Sequence, residues 1–291
     1  MSSWKGRSRG GITGYKVFIF ILKYLGLGAA HFVLRFVAGY FFLFVPRSFK
    51  LMYDFFHRKL KLSSVKSIRS IYRNYYLFGQ VILDKFAVMG GLKDKFSYEF
   101  EGEEHLRQMV REHTGGLLIS AHVGNWDIAS ALLNRIGGKI NIVIFEGEHA
   151  RIKKFTENKL NRAHVNFIAL KPDFSHIFQI GQALQNKELI CIHGDRFLAG
   201  AKVSEQTFFN QQAYFPLGPF ELASRFGVPC TFVFAMKHQK RHYHFFATPP
   251  KVYNRNPETA LADFVKILEE KVRLFPEQWF NYYPFWIETK Q

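Results

Sequence analysis

The sequence Gly-Leu-Leu-Ile-Ser-Ala-His-Val-Gly-Asn-Trp-Asp, which runs from Gly116 to Asp127, decides how we expect this chain to fold. Its first part is a short apolar run of the length that is typical of a buried strand. Polar side chains follow directly, and a pattern with helical spacing begins near Ile128. A buried strand that leads through a polar turn into a helix is typical of a sheet with helices on its faces.

The same alternation of short apolar runs and longer amphipathic segments continues along the chain. We therefore predict an α/β fold with a mixed, largely parallel central sheet flanked by helices. The predicted strands are Gly116–Ala121, Ile140–Phe145, Phe167–Leu170, Leu189–His193, Cys230–Met236 and His244–Ala247. The predicted helices are 63–88, behind the capping residues Ser63 and Ser64, then Ile128–Arg135, His149–Arg162, Ser175–Asn186, Pro219–Phe226, and one that starts at Asn256-Pro257 and stops at Pro276.

The N-terminal segment is predicted to associate with a membrane. Residues 24–45 contain only His31 and Arg35 as ionisable groups, and at about 1.5 Å per residue a helix of this length could cross the ~30 Å hydrocarbon layer. Lys16 and Lys23 fall on the same helical stripe as these two, and such a stripe favours a helix lying in the interface. We expect monotopic or re-entrant anchoring rather than a single span. The predicted division is an N-terminal basic and aromatic membrane anchor, 1–60, and a catalytic domain, 61–291.

A cleaved signal peptide is the competing interpretation of this segment. The basic start precedes an apolar stretch, and Gly28-Ala29-Ala30 faintly resembles a cleavage site. However, Lys23 interrupts the apolar stretch, which also continues well past these small residues. We therefore expect the segment to be retained.

The composition favours an anionic partner without saying which one. Forty basic and 23 acidic residues give a net charge of +17, which attracts nucleic acid, an anionic bilayer or an acidic carrier protein. Phe, Tyr and Trp make up 17% of the chain, and aromatic residues are common at membrane interfaces. Because no nucleic-acid-binding motif is present, we expect a lipid surface and no nucleic acid.

No cofactor or metal site is predicted. Cys191 and Cys230 lie in or beside apolar runs, so we expect buried thiols rather than a disulfide or a zinc site. The glycines at Gly115-Gly116 and around residues 134–138 lack the spacing of a dinucleotide or phosphate loop. The basic segment between His238 and His242 is expected to be an exposed hairpin.

His122 and Asp127 are the predicted catalytic pair. A tight turn at Gly124 would fold the Asp127 carboxylate back onto the imidazole, fix its tautomer and let His122 take a proton from an alcohol. A substrate hydroxyl would then attack directly, without a protein nucleophile. The structural alternative is a strand-end histidine bonded into the fold, with Asp127 as a helix cap.

The motif His122-Val-Gly-Asn-Trp-Asp127 resembles the His-x4-Asp/Glu motif of the bacterial lipid A late acyltransferases, within the wider group of glycerolipid acyltransferases. The likeness spans roughly residues 15 to 286. It also includes His193-Gly-Asp-Arg196, Phe208-Phe209, Pro216-Leu-Gly-Pro219, Glu221-Leu-Ala223 and Pro276-Glu-Gln-Trp279. It implies transfer of a fatty acyl group from acyl carrier protein or coenzyme A to a lipid hydroxyl, at the cytoplasmic face of the bacterial inner membrane.

Asp195 and Arg196 follow the predicted strand Leu189–His193, so we expect them to project from the same sheet edge as His122; the alternative is that they close a surface turn. Substrate binding is expected of these two residues and of Asn125 and Trp126, and the resemblance implies it for Arg151. Arg196 is expected to hold a phosphate or the developing thioester oxyanion. An apolar cleft for the acyl chain is expected to run from His122 past four aromatic residues, with Arg196 near its polar end; the alternative is that these residues only fill the core. The four are Trp126, Phe208, Phe209 and Phe215.

The chain departs from the family pattern in two places. Asp127 is shorter than the glutamate that is common there, and the aromatic segment 282–286 replaces an expected arginine-bearing end. The acceptor therefore stays open between a glycolipid similar to the lipid A precursor, a lysophospholipid, an amino-acid-based lipid and a polyene-type pigment. A basic membrane- or nucleic-acid-binding module without catalysis is the alternative from another class.

Overall fold

The structure is a computed structural model that describes residues 12–128, 133–145, 165–171, 173, 175–198 and 200–287. In this part of the chain nine strands form two sheets. They are β1 (Ser97–Glu101), β2 (Gly116–Ser120), β3 (Ile140–Phe145), β4 (Val165–Leu170), β5 (Leu189–His193), β6 (Val203–Phe208), β7 (Gln211–Pro216), β8 (Cys230–Gln239) and β9 (His242–Ala247). Seven of them make the central sheet, in the order β1-β9-β8-β2-β5-β3-β4, and β6 and β7 form a separate antiparallel hairpin.

Strand β2 lies at the centre of the large sheet and pairs in parallel with β5 on one side and β8 on the other. Parallel pairing also joins β3 to β4 and β5, and β1 to β9, whereas β8 and β9 are antiparallel. The predicted mixed, largely parallel sheet is therefore confirmed. In the register of β2 and β5, Ser120 lies opposite His193. The carboxyl ends of these two strands are thus neighbours.

All six predicted strands are present, and the structure adds three that the sequence pattern did not reveal. Strand β1 lies at an edge and its residues alternate between exposed and half-buried positions. Strand β6 is mostly polar, and β7 pairs with it outside the central sheet. Such strands lack the continuous apolar run of a buried strand, which explains why they were missed. The basic hairpin predicted between His238 and His242 is confirmed as the turn that joins β8 to β9.

Eight α-helices are described. They are α1 (Ile12–Tyr24), α2 (Gly26–Phe44), α3 (Pro46–Tyr53), α4 (Ser64–Ala87), α5 (Glu103–Arg111), α6 (Ser175–Gln185), α7 (Gly218–Phe226) and α8 (Pro257–Leu274). Two of the predicted caps are confirmed, because the Ser63 side chain accepts from the Lys66 N–H and the Asn256 side chain accepts from the Thr259 N–H, whereas Ser64 is the first residue of α4.

Two predicted helices are not described in full. The helix predicted over His149–Arg162 lies outside the described residues. Of the one predicted over Ile128–Arg135, the described part contains the short 3₁₀ helix Leu133–Ile136.

Aromatic side chains fill much of the core. Among the largest fully buried side chains are Trp279, Phe208, Phe215 and Phe264. Cys230 is buried, Cys191 is half-buried, and both are free thiols as expected. Burial raises the pKa of each thiol to about 12, which keeps both protonated near neutral pH.

Helix α2 has one face against the protein and one face exposed. Its buried face packs on α4, where Leu34 contacts the backbone position of Gly79 so closely that an added Cβ would lie 2.3 Å from a Leu34 methyl carbon. The opposite face exposes Phe32, Phe36 and Tyr40. Among the described residues, α2 is the one helix that is long and apolar enough to cross a membrane.

Phe264 and Phe178 provide a matched test of where the core lies. Both are on helices, but Phe264 is fully buried in α8 whereas Phe178 in α6 is 76% exposed. We expect Phe264→Ala to lower the free energy of unfolding by about 3–5 kcal/mol, and Phe178→Ala to change it by less than about 0.5 kcal/mol. Denaturant unfolding in detergent measures both, and equal stabilities for the two variants would contradict this core.

Candidate active site

The turn from residue 122 to residue 127 is held against the C-terminal segment and β8. Gly124 donates its N–H to the Gln278 carbonyl at 2.9 Å, and Asn125 donates its N–H to the Ala235 carbonyl at 2.7 Å. At Gly124, φ is +66° and a Cβ would lie 2.1 Å from the Ala235 oxygen. This position therefore requires glycine for both its conformation and its close approach to β8.

His122 is bound by Asp195 through both carboxylate oxygens. Its ring nitrogen Nδ1 lies 2.8 Å from Asp195 Oδ1, and its backbone N–H donates to Asp195 Oδ2 at 2.9 Å. The parallel register of β2 and β5 brings the two residues together, since each lies two positions beyond the end of its strand. Both residues are buried. The carboxylate therefore fixes the position of the imidazole ring.

This geometry corrects the predicted arrangement at His122. We expected Asp127 to bind the ring and fix its tautomer, but Asp195 takes that position at Nδ1. The Asp127 carboxylate instead accepts a hydrogen bond from Lys85 Nζ at 2.8 Å. It still acts on the ring, because its charge is one of the causes that raise the pKa of His122.

Burial and a neighbouring guanidinium favour the neutral form of His122. Burial lowers the pKa of His122 below its ordinary value, and the positive charge of Arg196 lowers it further. The negative charges of Asp195 and, to a smaller extent, Asp127 oppose this shift. For the Asp195 carboxyl, burial alone would raise the pKa, but the interactions with His122 and Arg196 hold it below the usual range. Near neutral pH the pair is therefore a carboxylate and a neutral imidazole.

His193 and Trp126 complete the immediate surroundings of the ring. The ring centroids of His122 and His193 are 4.4 Å apart, and the Trp126 ring lies 5.0 Å from that of His122. Burial, together with any positive charge that forms on His122, lowers the pKa of His193 to about 3. Its Nδ1 is buried and has no hydrogen-bond partner among the described residues. His193 is therefore a neutral imidazole packed on the face of His122.

Arg196 lies beside the pair, as predicted. Its Nη2 donates to the Phe280 carbonyl at 2.7 Å, and its guanidinium lies 5.6 Å from the centre of the Tyr283 ring. The Phe280 N–H in turn donates to the His122 carbonyl at 3.3 Å. The C-terminal segment thus holds Arg196 and the backbone of His122 together.

Asn125 and Arg151 require separate comment. The Asn125 side chain is buried and donates to the Val81 carbonyl and to the Tyr243 hydroxyl, while its oxygen accepts from the Ile128 N–H. These bonds support a role for Asn125 in fixing the turn, and its contact with substrate stays a prediction. Arg151 lies outside the described residues.

The predicted acyl cleft is only partly supported by the positions of its aromatic residues. Trp126 is half-buried beside His122, as expected. The other three predicted lining residues are buried in the main core. Their assignment to the lining of a cleft is therefore wrong, and they fill the core, as the alternative said. They are Phe208, Phe209 and Phe215.

His122, His193 and Asp195 could together hold a metal ion. One ligand atom from each lies within 4.8 Å of the other two. However, the Asp195 oxygens already accept two hydrogen bonds from His122. The arrangement seen here is therefore that of a hydrogen-bonded pair.

The sequence predicted no role for two residues of the site, namely Lys85, the partner of Asp127, and His193, which was named only as part of the motif His193-Gly-Asp-Arg196. His193 could have been found, because it ends the strand next to β2 and the ends of parallel strands gather site residues. Lys85 gave no such signal, because its helix is more than 40 positions away from Asp127 in sequence.

Residues 68–288 match the model of the family described as bacterial lipid A biosynthesis acyltransferase. A search of curated proteins gave no match. The matched range covers most of the chain and contains the His122 turn, Asp195 and Arg196. The protein therefore belongs to the bacterial lipid A biosynthesis acyltransferase family and is an acyltransferase.

Proposed function

We propose that this protein is a membrane-associated O-acyltransferase that moves a fatty acyl group from an acyl thioester to a hydroxyl of a lipid, with His122 as the general base. The observation that carries the proposal is the buried contact of 2.8 Å between His122 Nδ1 and Asp195 Oδ1, at the carboxyl edge of a parallel sheet in a chain of this family. A carboxylate on one imidazole nitrogen leaves the other nitrogen to accept a proton.

In this mechanism Asp195 keeps the proton of His122 on Nδ1, so Nε2 takes the proton of the acceptor hydroxyl. The hydroxyl oxygen forms a bond to the thioester carbonyl carbon, and a tetrahedral oxyanion results. The C–S bond then breaks, and the leaving thiolate takes the proton back from the imidazolium. The products are an ester and a free thiol, with His122 returned to its neutral form.

Three charged groups support these steps. The imidazolium that forms on His122 is stabilised by the carboxylates of Asp195 and Asp127, since both raise its pKa. Arg196 provides the positive charge that favours the oxyanion, as preorganised cations do in acyl transfer. No cofactor is required, because the thioester of acyl carrier protein or coenzyme A carries the activated acyl group.

We further propose that α2 lies in the membrane surface and does not cross it. One face of α2 is buried against α4, and a spanning helix would have to give up that contact. The other face carries Phe32, Phe36 and Tyr40, which are suited to the headgroup and acyl boundary. The net charge of +17 adds attraction to anionic lipid. The thioester donors are made in the cytoplasm, so the site belongs at the cytoplasmic face of the bacterial inner membrane.

The acceptor that we propose first is a glycolipid similar to the lipid A precursor, because the family match points to that class. The aromatic segment 282–286 is the reason to test other acceptors, since Tyr282 and Trp286 are packed on the core where the family pattern led us to expect an arginine. Lysophospholipids, amino-acid-based lipids and a polyene-type pigment are the alternatives.

Loss of the proposed base or of its partner should abolish most of the activity. We expect His122→Ala, Asp195→Asn and Asp127→Ala each to reduce acyl transfer by about 10²-fold or more, which is the usual scale for general-base assistance. Asp263→Asn, which alters a carboxylate on α8 bonded to Lys251 and Tyr253, serves as the control and should keep wild-type activity.

The assay supplies acyl carrier protein and coenzyme A thioesters with each acceptor class and detects the acylated lipid by mass spectrometry. Near-normal transfer by His122→Ala would contradict the mechanism. A wild-type protein that transfers to none of the acceptors but still binds anionic vesicles would favour the binding-module alternative.

The pH dependence follows from the lowered pKa of His122. The active form is the neutral base, so kcat/KM should keep its plateau down to a pH below 6.5 and fall only under that value. Because Asp195 and Asp127 raise this pKa, removing either charge should move the acid limb to lower pH, and Asp195→Asn should move it further than Asp127→Asn. A wild-type acid limb above pH 6.5 would contradict the assignment.

The membrane proposal predicts a loss of binding when the exposed face of α2 is made polar. Phe32 and Phe36 are 57% and 67% exposed, and burying each in lipid is worth about 1.5–3 kcal/mol. The double variant Phe32→Ser, Phe36→Ser should therefore bind anionic phospholipid vesicles about 10²-fold more weakly in a sedimentation assay. Phe178→Ser is the matched control on α6. Equal binding by the double variant and the control would refute this orientation of α2.

A further inference from the structure

A second group of buried polar side chains lies behind the active-site turn. We call it the Asp84 network, and it consists of His31 on α2, Asp84 on α4, Asn125 in the turn, Lys237 on β8 and Tyr243 on β9. Each of the five is at most 5% exposed. Burying so many polar groups costs free energy unless they form hydrogen bonds with one another. The hydrogen bonds among these five side chains therefore stabilise their burial.

Asp84 is the centre of these contacts. Its Oδ2 accepts hydrogen bonds from the Tyr243 hydroxyl, at 2.6 Å, and from the Lys237 ammonium. Its Oδ1 lies 3.2 Å from Nε2 of His31. Helix α4, strands β8 and β9 and helix α2 therefore converge on one carboxylate.

The network reaches the active-site turn through Tyr243 and Asn125. The Asn125 amide donates to the Tyr243 hydroxyl at 3.1 Å, and its oxygen caps the Ile128 N–H at 3.1 Å. Asn125 lies three residues after His122 and two before Asp127. Its position therefore sets the path of the segment that carries both side chains.

At its other end the network reaches α2. His31 lies on the buried face of α2, whereas Phe32 and Phe36 on the same helix are exposed. An unbroken series of hydrogen bonds thus runs from α2 through Asp84 and Tyr243 to Asn125. If α2 left its place on α4, Asp84 would lose a partner inside the protein, and the remaining bonds would rearrange to solvate it.

We propose that His31, Asp84 and Tyr243 are positioning residues that couple the docking of α2 on α4 to the geometry of the His122 turn, so that the rate of acyl transfer depends on α2 being in place. The proposal rests on the proposed function of His122. A helix that binds the bilayer would then also favour the active form of the site.

The variant Tyr243→Phe tests the connection at the active-site end. It removes one hydroxyl that bonds both Asp84 and Asn125 and keeps the ring. We expect kcat to fall about 10-fold with KM changed less than about twofold, because the loss concerns placement of the base and not binding of the lipid. Tyr253→Phe is the control, since its hydroxyl bonds Asp263 on α8. A wild-type kcat for Tyr243→Phe would overturn the proposal.

The variants His31→Ala and His31→Gln test the connection at the α2 end. The amide of glutamine can still donate to Asp84, so His31→Gln should keep most of the activity, whereas His31→Ala should lower kcat about 10-fold in the vesicle-bound fraction. Tyr72→Phe is the control, because the Tyr72 hydroxyl also ties α4 to α2, at the Arg35 carbonyl, without touching Asp84. Equal kcat values for His31→Ala and Tyr72→Phe would show that the contact of α2 with Asp84 does not affect the rate of acyl transfer, and would refute the coupling.

Amide hydrogen exchange separates a failure of this proposal from a failure of the proposed function. In the full-length protein, Tyr243→Phe and His31→Ala should speed exchange in the peptide that contains residues 122–127 about 10-fold, and the two control variants should not. If this exchange changes but the wild-type protein transfers no acyl group, the coupling stands and the function fails. If the wild-type protein is active and neither exchange nor kcat changes, the coupling is refuted.

Discussion

The site depends on the parallel pairing of β2 with β5. This pairing places Ser120 opposite His193, and the residues just beyond both strand ends must then share a small volume at one edge of the sheet. Asp195 occupies that volume with both oxygens on His122, one on the backbone N–H and one on the ring. The close approach of Gly124 to Ala235 then directs the chain toward Trp126 and Asp127. A change in the strand register would separate His122 from Asp195.

Asp195 and Asp84 are both buried, and this explains why their carboxylates have close hydrogen-bond partners. A buried carboxylate is stable only when donors surround it, and Asp195 and Asp84 meet this requirement in different ways. Asp195 is bonded to His122 and fixes the orientation of the imidazole, while burial and Arg196 favour its neutral form. Asp84 is bonded to His31, Lys237 and Tyr243, which lie on one helix and two strands. The first arrangement suits proton transfer, and the second makes α2 part of the same packed unit as the sheet. The division between an anchor, 1–60, and a catalytic domain, 61–291, stays a prediction.

Aromatic residues lie in two different environments in this protein. Phe208, Phe215 and Trp279 fill the core, where burial of their large apolar area stabilises the fold. Phe32 and Phe36 are exposed on α2. Exposure of such side chains to water costs free energy, whereas their burial in a lipid interface is favourable. Both uses raise the aromatic content to 17%, so composition alone could not separate them. This is the reason why residues expected along an acyl cleft are in fact core residues.

The sequence by itself determined the strand and helix alternation, the helix caps at Ser63 and Asn256 and the exposed β8–β9 hairpin, because these features depend on local periodicity and on short motifs. It also singled out His122 as the catalytic base, which stays a prediction. It also indicated that Asp195 and Arg196 would lie at the same sheet edge. Only the tertiary structure decided that Asp195, and not Asp127, binds His122 Nδ1, that Lys85 binds Asp127, and that Phe208 and Phe209 are core residues. Those contacts join residues 40 or more positions apart, and their geometry is set by strand register and helix packing, which leave no pattern in the neighbouring sequence.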